Sequence, residues 1–218
     1  MLIEVADKSG FCFGVERALK LTEKAAQEYG EIFTLGPLIH NKTVTSSLEK
    51  KGVHIAAEVD EAAGKPLVIR SHGVGRKTED AAAVKCSVLL DATCPFVKRI
   101  HKIVSEQPAD GAVIILGDGE HPEVQGIMGH AACRAYACME YEEVSRVLES
   151  CGASGRGAVL VVQTTFDRSR FLEYSRRIGE EYCCVKIYDT ICNATSERQK
   201  NAEELAKRAD LMLVVGGR

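Results

Sequence analysis

A chain of 218 residues, 45% hydrophobic and 27% charged, can build one large or two ordinary domains around a buried core and is composed like a soluble globular protein. Its net charge of −3 and lack of any long basic run argue against a nucleic-acid surface, yet leave room for the few local cations that bind phosphate on a small ligand. The first residues lack the pattern of a signal peptide, and the longest apolar runs, such as AVIILG, are far too short to span a bilayer. A cytoplasmic location without membrane contact is therefore expected.

Along the chain, short apolar runs alternate with helix-like segments. LIEVA opens the series as an expected strand, and GVERALKLTEKAAQEYG follows as a helix with Val15, Ala18, Leu19, Thr22 and Ala25 on one face. Further strands are expected at EIFTLG, KPLVIRSHG, SVLLDATC, AVIILGDG, GAVLVVQTT, VKIYDTIC and LMLVVGG. Strands separated by helices predict an α/β protein with mostly parallel sheets.

The chain holds nine cysteines, an odd number, with no CxxC pair and no compact spacing, which disfavours disulfides, a zinc ribbon and a thioredoxin-type site. Cys86, Cys133, Cys138, Cys151, Cys183 and Cys184 read as small buried hydrophobes or incidental surface thiols. Cys12, Cys94 and Cys192 differ, because each closes an extended run and opens a helix, with Pro95 and Thr195 or Ser196 suited to the helix entries. Gly36, Gly117 and Gly216 end the next strand 24, 23 and 24 residues after them. His40 in GPLIHN matches His121 in GDGEHPEV, and His72 in VIRSHG matches the Thr164–Thr165 pair of VVQTTF. This is a domain-sized repeat. It predicts one domain over 13–94, a second over 95–192, and a partial third formed by 1–12 with 193–218.

A thiol at the junction of a strand and a helix meets the positive end of the helix dipole, which favours thiolate. Three such thiolates brought to one centre suit metal better than nucleophilic catalysis, which needs only one. Iron–sulfur clusters are thiolate-held, normally by four ligands, so three would leave one iron open to a substrate oxygen. His121 and Glu123 stand two apart in a loop and can move protons; His40 and His72 can bind anionic oxygen; Thr164 and Thr165 offer hydroxyls. Lys98 and Arg99, after Cys94, read as ordinary solvated surface.

The segments GFCFGVERA, GPLIHN, IRSHG, DATCPFV, GEHPEVQGIMGH, QTTF and YDTICNATSERQ together resemble the LytB/IspH family of 4-hydroxy-3-methylbut-2-enyl diphosphate reductases, in order and along the whole chain. The resemblance implies three quasi-equivalent α/β domains in a trefoil around one 4Fe–4S cluster. It implies Cys12, Cys94 and Cys192 as cluster ligands, and His40, His72 and His121 around the diphosphate and hydroxyl of the substrate. Glu123 would deliver protons, and Thr164 would hold the hydroxyl. The implied reaction is reductive dehydroxylation in non-mevalonate isoprenoid synthesis, with ferredoxin or flavodoxin as electron donor. The sequence stops at LMLVVGGR, where the family continues into a Ser-x-Asn segment, so a truncated third domain and a poorly packed stretch over 193–218 are expected. Two alternatives stay open: an open-iron hydro-lyase, and an inactive fragment that binds the cluster or a partner only.

Overall fold

Helix α1 (Phe13–Tyr29) forms where the sequence places Ala18, Thr22 and Ala25 on one buried face, and it stops at Gly30, whose φ of 77° suits a residue without Cβ. In this computed structural model, which describes residues 2–39, 41–151 and 157–215, α1 opens the first of two alike units. His40 and Gly216 lie outside the described residues. After α1 come β1 (Ile32–Leu35), α2 (Lys42–Glu49), β2 (Val53–Ala56), a 3₁₀ turn (Val59–Ala62), β3 (Pro66–Ile69), α3 (Arg76–Lys85) and β4 (Val88–Asp91). The second unit runs α4 (Pro95–Ser105), β5 (Ala112–Leu116), α5 (Pro122–His130), β6 (Arg134–Cys138), α6 (Tyr141–Ser150), β7 (Ala158–Val162), α7 (Arg168–Glu181) and β8 (Lys186–Ile187). Helix α8 (Asn193–Ala206) follows.

Each unit carries a four-stranded, all-parallel sheet, ordered β2-β1-β3-β4 in the first and β6-β5-β7-β8 in the second. The identical order is the structural form of the repeat read from the sequence. Parallel strands need helical crossovers, and these cover both faces of the sheet. In the second unit Ile114, Leu116, Leu160 and Val162 pack towards α6 and α7, while Val113, Ile115, Val159 and Val161 pack with Ile100, Val104, Val124 and Ile127 of α4 and α5. Burial on both faces explains the unbroken apolar runs AVIIL and AVLVV.

Two strands escaped the sequence pattern. β2 and β6 are sheet edges, half-exposed, and their segments VHIA and RAYAC are too short and mixed to give a period. Two expected strands do not form: LIEVA, and LMLVVGG as far as it is described. A strand needs a partner for its backbone groups, and no described strand pairs with either run. Leu2, Ile3 and Val5 are left 70–92% exposed, and Leu211, Leu213, Val214 and Val215 78–94%. No described residue of α8 is buried, so the stretch after 193 is loosely packed, as expected. Lys8 N–H donates to Asn201 Oδ1 at 3.1 Å, and Arg208 pairs with Glu4, which ties the chain start to α8 and its exit.

Candidate active site

In each sheet the chain leaves the first strand to one side and returns to the third strand on the other. The reversal opens a crevice at the carboxyl ends of β1 and β3, and again of β5 and β7, where parallel sheets hold ligands. His72, Cys94, His121, Glu123, Thr164, Thr165 and Cys192 follow these strand ends or the edge strands beside them, while Cys12 precedes α1 with no strand before it among the described residues.

Cys12, Cys94 and Cys192 are the N-cap residues of α1, α4 and α8, with Pro95 opening α4. The Cys94 N–H donates to the Ser71 carbonyl at 2.9 Å, and the Cys192 N–H donates to the Thr164 carbonyl at 2.8 Å. Cysteine and post-β3 or post-β7 turn are thus joined the same way in both units. A Cβ on Gly14 would stand 2.7 Å from the Cys94 sulfur, so α1 approaches that thiol by its glycine. Burial pushes the Cys94 thiol above its usual pKa; the N–H groups of Phe96 and Val97 offset this in part, and charge on Cys12 and Cys192 raises it further. The lowering expected from the helix start is outweighed by desolvation and by the like charge of the other two thiols. Cys12 and Cys192 thus lie close enough to Cys94 for their charge to act on it. Among the described residues no three His, Cys, Asp or Glu side chains are spaced to hold a single metal ion. A multi-iron cluster differs, since its thiolates bind separate irons.

From Cys94 to Cys192 runs a continuous belt of contacts. Ser71 is followed by His72, whose ring meets His121 edge to face with centroids 5.5 Å apart. His121 is the N-cap of α5, and its Nδ1 accepts the Glu123 N–H at 3.1 Å, which leaves Nε2 as the protonated nitrogen. Glu123 is 3% exposed; its carboxylate accepts the N–H and the hydroxyl of Thr164, each at 2.7 Å. Burial raises its pKa, while the two Thr164 donors and the nearby His121 lower it in part. Thr164 then closes the belt through its carbonyl to Cys192. Thr165 is exposed and accepts a hydrogen bond from the Gln163 amide at 3.2 Å.

Sequence reasoning missed the residues that brace this belt. Arg17 of α1 donates to the carbonyls of Thr93 and Asp91 at 3.2 and 3.3 Å, fixing the strand end before Cys94. Asp91 accepts the Thr93 N–H at 2.8 Å and pairs with Lys98, so Lys98 braces the Cys94 turn instead of merely meeting solvent. The signal was present in the spacing: Lys98 stands one helical turn beyond the cysteine. Of the remaining cysteines, Cys138 is buried, its thiol pushed up to about 11, and Cys183 and Cys184 are exposed.

Comparison with known proteins identifies the family. The family model described as LytB protein matches residues 3–218. The 4-hydroxy-3-methylbut-2-enyl diphosphate reductase of Alkaliphilus oremlandii is 39% identical over 222 residues, spanning 100% of this chain and 77% of that protein. Its namesake in Clostridioides difficile is 37% identical over 221 residues, spanning 100% and 78%. A solved structure of (E)-4-hydroxy-3-methyl-but-2-enyl diphosphate reductase, described as the terminal enzyme of the non-mevalonate pathway, superposes with a TM-score of 0.83 at 34% identity, covering 99% of this chain and 77% of that one. The Plasmodium falciparum enzyme shares the fold, with a TM-score of 0.83 at 24% identity. Matched from end to end by sequence and by structure, this chain belongs to the LytB family.

Proposed function

We propose that this chain is a 4-hydroxy-3-methylbut-2-enyl diphosphate reductase, acting in the cytoplasm to remove the allylic hydroxyl as water with two electrons and two protons. The products are isopentenyl and dimethylallyl diphosphates. The observation that carries the reading is the belt from Cys94 to Cys192, which sets a buried carboxyl and two imidazoles between two helix-capping thiols.

The donor set fits an iron–sulfur cluster: three thiols at three helix starts, none in a disulfide, near enough for two to shift the third. A 4Fe–4S cluster held by Cys12, Cys94 and Cys192 would supply the electrons and, at its iron without a protein ligand, Lewis acidity toward an oxygen. The chain's own residues handle the proton and the anion. Glu123 retains its proton to higher pH than an exposed carboxyl, so it can pass that proton to the departing hydroxyl. Thr164 holds both Glu123 oxygens in place. His121, with its proton on Nε2, donates to a diphosphate oxygen; His72 extends the imidazole set, Thr165 adds a hydroxyl at its edge, and His40 of the GPLIHN motif would join them by resemblance to the family. The electron donor would be a small carrier such as ferredoxin or flavodoxin.

Anaerobic reconstitution with iron and sulfide, followed by visible absorption, EPR and turnover of the allylic diphosphate, tests the proposal. Cluster uptake with product formation that requires a reductant is expected. Product without any reductant would point to a hydro-lyase, and absence of cluster uptake would overturn both enzyme readings.

A further inference from the structure

Arg70 follows β3 directly and reaches the crevice between β1 and β3. Its guanidinium lies against Gly36: a Cβ there would come within 2.6 Å of Nη1, and the glycine has a φ of 72°. Arg70 Nε is buried with no hydrogen-bond partner, and none of the ion pairs among the described residues includes this side chain. Burial alone acts on the guanidinium, pulling its pKa below the usual value, with no carboxylate to compensate. An unpaired, partly desolvated cation is costly unless a ligand completes it.

The second unit supplies an internal comparison. Gln163 follows β7 as Arg70 follows β3, and its Oε1 lies 2.7 Å from the Cβ position of Gly117, the counterpart of Gly36. Gln163 is satisfied locally: it accepts the Asp118 N–H at 3.1 Å and donates to Thr165. At the same place in the repeat, one unit keeps a neutral amide bonded to its own loop and the other keeps a charge with no ion-pair partner among the described residues.

Arg70 lines a groove of about 1020 Å³ between the units, walled by Val59, Lys77 and Thr78 on one side and by Gln125 and Met128 of α5 on the other. None of the three helix-capping cysteines, and neither Glu123 nor Thr164, lines it. Gly73 and Gly126 form its boundary with the belt, and a Cβ on Gly126 would be 3.6 Å from the His72 carbonyl. We propose that this groove binds a small organic oxyanion, a phosphate ester or a carboxylate, with Arg70 as its anchoring cation. A guanidinium fork matches either group. Helix α3 begins on the same wall at Gly75, which has no side chain to cap its first N–H groups, and Lys77 adds a second cation. The volume exceeds what inorganic phosphate needs, and Leu35, Val59, Val74 and Met128 offer apolar surface to an organic body. Glu58 and Glu120 on the walls disfavour a polyanion and favour one charged group on a compact molecule. The site is independent of the reductase chemistry, although its occupant would touch the back of the turn bearing His72.

Titration calorimetry at fixed ionic strength with inorganic phosphate, and separately with acetate, tests the site and tells the two anion classes apart. Arg70→Gln should weaken binding of the preferred anion by about tenfold or more, Lys77→Gln by about threefold, and Lys207→Gln, which removes an exposed cation outside the groove, should leave it unchanged. Without ligand, Arg70→Gln should unfold at an equal or higher urea concentration than the parent, because it removes a charge with no partner. No binding of either anion by the parent chain would overturn the proposal. So would binding that survives both Arg70→Gln and Lys77→Gln, or binding lost in Lys207→Gln. A lower urea midpoint for Arg70→Gln together with unchanged anion binding would assign Arg70 a structural role instead.

Discussion

In the proposed reaction Glu123 is the acid, buried to 3% exposure yet bonded twice to Thr164. Two effects oppose each other: desolvation raises its pKa, and donors to the carboxylate lower it, with burial the larger. The consequence for stability has a definite sign. Below the ordinary carboxylate range the group is protonated folded or unfolded; as pH rises, the unfolded chain ionises first, and folding stability is lost up to the folded pKa. Glu123→Gln removes that loss, so its urea midpoint relative to the parent should climb as pH rises above the ordinary carboxylate range. Its turnover should fall by about 10²- to 10⁴-fold with little change in KM, as steady-state assays would show. Thr164→Val makes a finer prediction. Without the hydroxyl, Glu123 holds its proton to higher pH, and the alkaline limb of the pH–rate profile should shift upward. A limb that stays in place, or moves down, would remove Glu123 as the acid it reports.

Helix starts are the elements on which the site is built. α1, α4 and α8 each begin at a cysteine, and α5 begins at His121. Much of this was legible in the sequence, because a cysteine between an apolar run and a helical period is a local pattern, and three such patterns recur with one strand spacing. Strands β5 and β7 were legible for a related reason: burial on both faces demands continuous apolar side chains. What was not legible depends on contacts distant in sequence. Thr164 meets Glu123 across 41 residues, and Arg17 meets Thr93 across 76. The edge strands β2 and β6 bury too little to impose a period on their residues. Gly14 belongs with these distant contacts, since only the fold brings α1 against Cys94. Gly14→Ala tests the element directly. Alanine favours a helix interior over glycine by about 1 kcal/mol, so helix content should be unchanged or higher. The new methyl would nonetheless collide with the Cys94 sulfur, and iron bound after anaerobic reconstitution should fall to less than about half the parent value. Full iron loading in Gly14→Ala would show that Cys94 can yield without losing its role.

At the scale of the molecule, the two units meet along α3, α4 and α5, and α5 reaches the interface with one end and the site with the other. His130 at its last turn bonds the Val74 carbonyl of the first unit at 2.9 Å and stacks on His101 of α4 with centroids 4.0 Å apart. Next to it, Gly129 approaches Gly75 so closely that a Cβ on Gly129 would stand 2.6 Å from the Gly75 Cα. That neighbour is backbone and cannot swing aside, so the helix itself would have to move. His121 and Glu123 sit at the opposite end of the same rigid rod of nine residues. Gly129→Ala should therefore reach the chemistry without touching it: a displacement of about 1 Å at a reacting group costs on the order of 10²-fold in rate. Overpacking at the interface should also lower stability by about 1–3 kcal/mol in urea unfolding. The control is the same substitution at Gly179 in α7, where a Cβ meets nothing within 4 Å. There only helix propensity acts, and alanine should stabilise by up to about 1 kcal/mol with turnover unchanged. Equal effects at the two glycines would mean that α5 does not couple the interface to the site. A loss confined to Gly129→Ala, in rate and stability together, would mark α5 as the element that sets the distance between the two halves of the pocket.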